Sequence, residues 1–96
     1  MGLELTVDGA RPLAEALARL AESGAPASIV MIDGALVMPG AAPPPSWSDV
    51  RVKTAAGTFA LKRRGDAVSV VAFGNADAAA LAMQAELAAA LRQASP

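Results

Sequence analysis

Polar and apolar residues alternate along much of this chain, but two short runs near its middle are apolar at nearly every position. These runs, at 29–32 and 35–38, flank Asp33 and Gly34. An Asp-Gly pair between two β-forming runs is a strong hairpin signal, because a type I′ turn needs positive φ at both central positions. The pattern therefore predicts a β-hairpin that turns at Asp33 and Gly34.

Both faces of this predicted hairpin are apolar. Because successive side chains of a strand point to opposite faces, strict alternation groups Ile29 and Met31 with Leu36 and Met38. The other face then holds Val30, Ile32, Ala35 and Val37. A strand with one face in water should alternate, so the second apolar face needs a cover.

The rest of the chain shows regular periodicities. We predict a strand at 3–7 and a helix at 12–23, which Gly24 ends. Three further strands are predicted at 50–54, around Phe59 and Leu61, and at 67–73. A last helix begins at a cap, Asn75 or Asp77, and ends near Arg92. The first helix presents Leu13, Leu17 and Leu20 on one face, and the last presents Ala80, Met83, Leu87 and Leu91.

These elements predict a single domain over residues 1–96, of the α+β class. The order is β-α-β-β-loop-β-β-β-α, with two helices and a meandering, mostly antiparallel sheet of five to six strands. The loop contains three consecutive prolines, which favour an extended conformation. We expect Trp47, at its end, to pack onto the domain and fix the loop.

A single layer of helices leaves one face of such a sheet bare. If the two helices pack side by side on the same face, apolar residues remain on the other, and large exposed apolar patches mark interaction sites. We therefore expect a second copy of the chain to cover this face, in a homodimer. The expected interface residues are Val30, Ile32, Val37, Trp47 and Phe73.

The charges are balanced, with eight basic and nine acidic side chains. The one cluster of like charges is basic and lies in the predicted meander. A basic rim is expected at Arg51, Lys53, Lys62, Arg63 and Arg64. It fits either an acidic protein partner or a solvated hairpin end that discourages edge pairing. Aromatic residues for base stacking are not interleaved with it, so nucleic acid is not an expected partner.

The side chains available for chemistry are few. The sequence has no His, Cys or Tyr, which removes the usual general base, the thiolate nucleophile and the common zinc ligands. Phosphate-binding glycine motifs are absent as well. We expect no enzyme activity, no cofactor and no metal site. Without a signal peptide or a membrane-spanning run, and with an alanine-rich composition of bacterial type, we expect a cytoplasmic protein.

Several segments together resemble the roadblock/LC7 (longin-like) family. They are the hairpin "ASIVMIDGALVMPG", the meander pieces "VKTAAGTFAL" and "GDAVSVVAF", and the start of the last helix at Asn75-Ala76-Asp77. The chain departs from the family in having "PGAAPPPSW" where the family has a middle helix, and in its extra strand at 3–7. The resemblance implies a homodimeric scaffold or regulator of small GTPases without chemistry of its own.

The sequence thus favours a non-enzymatic, self-associating interaction module that regulates a small-GTPase-like or signalling partner. Two alternatives stay open. One is a protein whose apolar face and proline loop enclose a small hydrophobic ligand, and the other is a secretion-type chaperone that holds an extended client across the sheet.

Overall fold

The computed structural model describes residues 3–38, 41–44, 46–73 and 77–92. These residues form an α+β fold, as the sequence predicts. Its elements are β1 (Leu3–Val7), α1 (Leu13–Glu22), β2 (Ser28–Ile32), β3 (Ala35–Leu36), β4 (Asp49–Thr54), β5 (Gly57–Arg64), β6 (Ala67–Ala72) and α2 (Ala78–Leu91). β3 is shorter than the run at 35–38 suggested.

All six strands belong to one sheet with the order β1-β6-β5-β4-β2-β3. Every neighbouring pair is antiparallel. β4, β5 and β6 form the predicted meander at its centre. β1 is an edge strand beside β6, with Leu5 opposite Val70, and β3 is the edge strand at the other end.

The ends of both helices carry the signals that the sequence shows. α1 ends in a Schellman motif, in which Ala25 N–H donates to the Leu20 carbonyl and Gly24 N–H to the Ala21 carbonyl. Gly24 has a φ of +84°, which glycine adopts without strain. At the start of α2, Asp77 Oδ1 accepts a hydrogen bond of 2.8 Å from Ala80 N–H. The alternative cap, Asn75, lies outside the described residues.

Both helices lie on the same face of the sheet, which we call the inner face. α2 packs over β1 and β6, and α1 packs beside α2. Between the helices and the sheet lies one hydrophobic core. Its largest fully buried side chains are Leu20, Ile29, Val50, Val52, Phe59, Leu61, Val70, Leu87 and Leu91. The predicted apolar stripe of α2 is entirely buried, which confirms it.

The opposite face, which we call the open face, has no helix over it among the described residues. One row of cross-strand partners runs across all six strands of this face. Its members are Leu36, Met31, Arg51, Ala60, Val71 and Glu4. Both helices therefore share one face, which is the condition on which the expectation of a bare face rests.

Two polar side chains tie the helices to the sheet and to each other. Gln84 of α2 is 3% exposed, and its Nε2 donates a 2.9 Å hydrogen bond to the Val70 carbonyl of β6. Before α1, Arg11 donates from Nε and Nη2 to the Arg92 carbonyl, at 3.0 and 2.6 Å. Its backbone N–H donates to the Leu91 carbonyl. Arg11 therefore satisfies carbonyls at the end of α2 that have no partner within the helix.

Candidate interaction surfaces

The turn between β2 and β3 is the one that the Asp-Gly pair predicts. Asp33 has a φ of +48° and Gly34 a φ of +85°, the positive values that a type I′ turn requires. The turn is also anchored to the start of β4. Asp33 Oδ1 accepts hydrogen bonds from Ser48 N–H at 2.8 Å and from Asp49 N–H at 2.9 Å. The amide donors of Asp49 and Ser48 lower the pKa of the Asp33 carboxyl below its ordinary value, because they stabilise the charged form.

A β-bulge in β2 changes which side chains share a face. Ile29 lies opposite Val52 and Ile32 opposite Val50, while Met31 lies opposite Arg51, so that Val30 is an extra residue. Both Ile29 and Ile32 therefore face the helices. The prediction that Ile32 lies on the bare face is wrong, because one inserted residue shifts the two-residue period.

Val37 also belongs to the helix side. It is half-buried and, like Ile32, packs against the hydrophobic core. Its N–H donates a 3.1 Å hydrogen bond to the Val30 carbonyl. The third predicted interface residue of the hairpin, Val30, is half-buried at the bulge.

The exposed apolar residues of the hairpin are not among the predicted interface residues. Leu36 and Met38 are each 81% exposed. Leu36 lies opposite Met31, which is half-buried on the open face. We call Met31, Leu36 and Met38 the hairpin edge. The two-residue period places Leu36 and Met38 on one face. It does not show that β3 is an edge strand, with no further strand beside it.

Trp47 lies on the helix side rather than at an exposed interface. It is 8% exposed and is part of the hydrophobic core. The guanidinium carbon of Arg63 lies 5.9 Å from the centre of the Trp47 ring, within range of a cation–π interaction. The expectation that Trp47 packs onto the domain is confirmed, but its placement with Phe73 in one bare surface is wrong.

The predicted basic rim divides between the two faces. Arg63 lies opposite the buried Val68 and therefore points to the helix side, as its contact with Trp47 shows. The other four cations are exposed on the open face: Arg51, Lys53, Lys62 and Arg64. Strand alternation explains the division, because Lys62 and Arg64 are each one residue from Arg63.

Phe73 follows β6 and is 47% exposed. The guanidinium carbon of Arg51 lies 5.4 Å from the centre of its ring. Between the strands that carry them lies Ala60, which is opposite both Arg51 and Val71 and is only 1% exposed. In the part of the chain that the structure describes, the side chains of the open face therefore cover their own centre, without a helix above them.

A groove lies where α1 begins, on the helix side. Its volume is about 300 Å³, and its walls combine apolar and charged groups. They include Leu13, Pro43, Pro44, Trp47, Val68, Arg11, Arg63 and Asp66. The sequence predicts a ligand between the apolar face and the proline loop, whereas this groove lies between the loop and the helix side. Binding of a small hydrophobic ligand stays a prediction.

The described residues offer neither a cluster of metal ligands nor a membrane-spanning helix. Within the described ranges, no three His, Cys, Asp or Glu side chains come close enough together to hold a metal ion. The two described helices are also not long and apolar enough to cross a membrane.

Comparisons with protein-family models, with curated proteins and with solved structures give no match to this chain. The resemblance to the roadblock/LC7 family therefore stays a prediction.

Proposed function

We propose that the protein is a non-catalytic interaction module that self-associates through the hairpin edge. The observation that carries this proposal is the exposure of Leu36 and Met38, 81% each. Burying an apolar side chain of this size stabilises an association by roughly 1.5–3 kcal/mol. An isologous contact repeats each of these burials on both copies.

The two edges of the sheet support the choice of this edge. β1 carries Glu4 and Thr6 on the open face, and a charged edge resists pairing with another chain. The run at 35–38 carries no charge, and β3 pairs with only Met31 and Ile32 of β2. Its outer side therefore offers backbone groups and apolar side chains together, which is what strand addition uses.

The non-catalytic part of the proposal is supported by the composition, which lacks His, Cys and Tyr. The roadblock/LC7 resemblance adds a kind of partner. On that basis we expect the self-associated form to act on a small-GTPase-like or signalling protein.

Light scattering across about a hundredfold dilution tests the self-association, because mass action makes the state depend on concentration. We expect a dimer that dissociates on dilution. The double variant Leu36→Lys with Met38→Lys should be a monomer at every concentration. Its thermal midpoint should equal that of the wild type diluted to a monomer, because neither side chain is in the core and only dimerisation adds stability that depends on concentration. Leu81→Lys is the matched control, since Leu81 is a 38%-exposed leucine of α2.

Two results would contradict the proposal. One is a wild-type protein that is a monomer throughout the dilution series. The other is a dimer that the double lysine variant leaves intact.

A further inference from the structure

The open face separates the charges of this protein. It carries four basic side chains, Arg51, Lys53, Lys62 and Arg64, and two acidic ones, Glu4 and Asp49. The rest of the sequence carries four basic and seven acidic side chains. A chain with a net charge of −1 therefore has a positive sheet face and a negative remainder, and such a field attracts and orients acidic partners.

The same face also offers apolar contact. Val71 is half-buried, Phe73 is 47% exposed, and both are on or next to β6. The cations lie on β4 and β5 beside them. Lys53 is opposite Thr58, and Lys62 is opposite Ser69. The surface thus combines an apolar strip on one side with positive charge on the other.

We infer that the open face docks an acidic, amphipathic helix of a partner protein. Amphipathic helices are elements that cover a sheet face, as α1 and α2 do on the inner face. The apolar stripe of the partner helix would lie on Val71 and Phe73, and its carboxylates would face Lys53 and Lys62. The residues used here lie on β4, β5 and β6 and next to β6, whereas the self-association proposed above uses Met31, Leu36 and Met38 at the hairpin end of the same face.

Nucleic acid is the other class of anionic partner that a positive face could bind. The positions of the aromatic residues argue against nucleic acid. Of the three aromatic side chains in the sequence, Phe59 and Trp47 are buried in the core. Phe73 alone lies on the open face, and Arg51 already contacts its ring. Sheet surfaces that bind single strands stack two or three bases on aromatic side chains.

The test uses a synthetic, fluorescently labelled helical peptide with a leucine stripe flanked by glutamates. Two control peptides have lysine in place of each glutamate, or the same composition in scrambled order. Anisotropy titrations should show binding of the acidic helical peptide that weakens as salt is added. Binding should be at least about tenfold weaker for either control peptide, because each loses charge or shape complementarity.

Variants locate the binding on the protein. Lys53→Glu with Lys62→Glu replaces two attractions by two repulsions, and it should weaken binding by about tenfold. The matched control is Arg19→Glu, an exposed cation of α1 on the helix side, which should leave binding within about twofold. If the double reversal lowers the thermal midpoint, Lys53→Gln with Lys62→Gln removes the same charges without adding new ones.

Several outcomes would overturn the inference. They are no binding of the acidic helical peptide, equal binding of the scrambled peptide, or equal weakening by Arg19→Glu. A fourth is tighter binding of an oligothymidylate that depends on Lys53 and Lys62, which would make the open face a nucleic-acid surface.

Discussion

The inner and open faces of β4 and β5 share one backbone but differ in what surrounds them. On the inner face, Val50, Val52 and Leu61 are fully buried beneath the helices. On the open face, Arg51 and Lys62, each one residue away along its strand, are exposed. Alternation alone can therefore specify a core on one side of a sheet. The other side needs no second layer when its side chains are long and charged.

The hairpin does not follow this pattern. The charges of β4 and β5 keep their open face soluble, whereas the hairpin edge carries only apolar side chains, two of them 81% exposed. Exposure to water is therefore less favourable for the hairpin edge than for the rest of the open face. This contrast within one sheet is the reason to assign self-association and partner docking to different places.

The largest difference in the free energy of unfolding is expected between variants of the two phenylalanines, one on each face of the sheet. Phe59 is 1% exposed on the inner face, and Phe73 is 47% exposed on the open face. We expect Phe59→Ala to lower the free energy of unfolding by about 3–5 kcal/mol, because it leaves a cavity in the core. Phe73→Ala should lower it by about 1 kcal/mol or less, since it removes a half-exposed ring and a cation–π contact.

Urea denaturation of the two variants and the wild type measures this difference, with the slope of each transition as the check that unfolding stays two-state. Equal losses for Phe59→Ala and Phe73→Ala would mean that the open face is covered in solution. In that case the contrast between the faces would hold only for the isolated chain.

A smaller difference in the free energy of unfolding is expected between variants of two neighbouring arginines of β5. Arg63 contacts the Trp47 ring on the helix side, and its Nε donates a 3.0 Å hydrogen bond to the Gly65 carbonyl. Arg64 is exposed on the open face. Arg63→Ala should lower the free energy of unfolding by about 1 kcal/mol, through lost packing and cation–π attraction. Arg64→Ala should change it by less than about 0.5 kcal/mol.

Arg63 and Arg64 are matched controls for each other, because they are the same residue type on the same strand and differ in the face to which they point. The fluorescence of Trp47, the single tryptophan of the sequence, provides a second measurement. Its emission should shift for Arg63→Ala and not for Arg64→Ala. A shift in both variants, or in neither, would show that Arg63 does not stack on Trp47 in solution.

Much of the fold could be predicted from local signals. Asp33 and Gly34 predict their turn because few other pairs tolerate positive φ. Gly24 and Asp77 mark helix ends because they satisfy backbone groups that a helix leaves without partners. The alternation at Val50 and Val52 assigns their face correctly.

The candidate surfaces were harder to predict, because they depend on features without a local signal. The bulge at Val30 inserts one residue and returns Ile32 to the core, and nothing in an all-apolar run indicates where it falls. The exposure of Leu36 depends on the position of β3 at the edge, which is a property of the whole sheet. Burial of Gln84 likewise depends on α2 lying over β6.

The smallest effect concerns the turn that holds the hairpin edge against β4. Hydrogen bonds from Asp49 and Ser48 lower the pKa of Asp33 below its ordinary value of 3.8. Above that value the carboxyl is ionised in both the folded and unfolded states, so its stabilising contribution is complete. As the pH falls below it, the unfolded state binds a proton first, and the contribution is lost as the pH passes the folded pKa. The stability advantage of the wild type over Asp33→Asn should therefore be constant near neutral pH and shrink below pH 3.8.

Urea midpoints of the two proteins, compared at a series of pH values, isolate this group because every other carboxyl is common to both. Asparagine suits the comparison since it tolerates a positive φ and keeps an oxygen at the Oδ1 position. The loss on acidification then reports the charge of Asp33 rather than the shape of the turn. A difference that stays constant down to pH 2, or grows on acidification, would mean that the Ser48 and Asp49 amides do not hold the carboxylate. The turn would then be attached to β4 by its backbone, through the hydrogen bond that Asp33 N–H donates to the Asp49 carbonyl and through the pairing of β2 with β4.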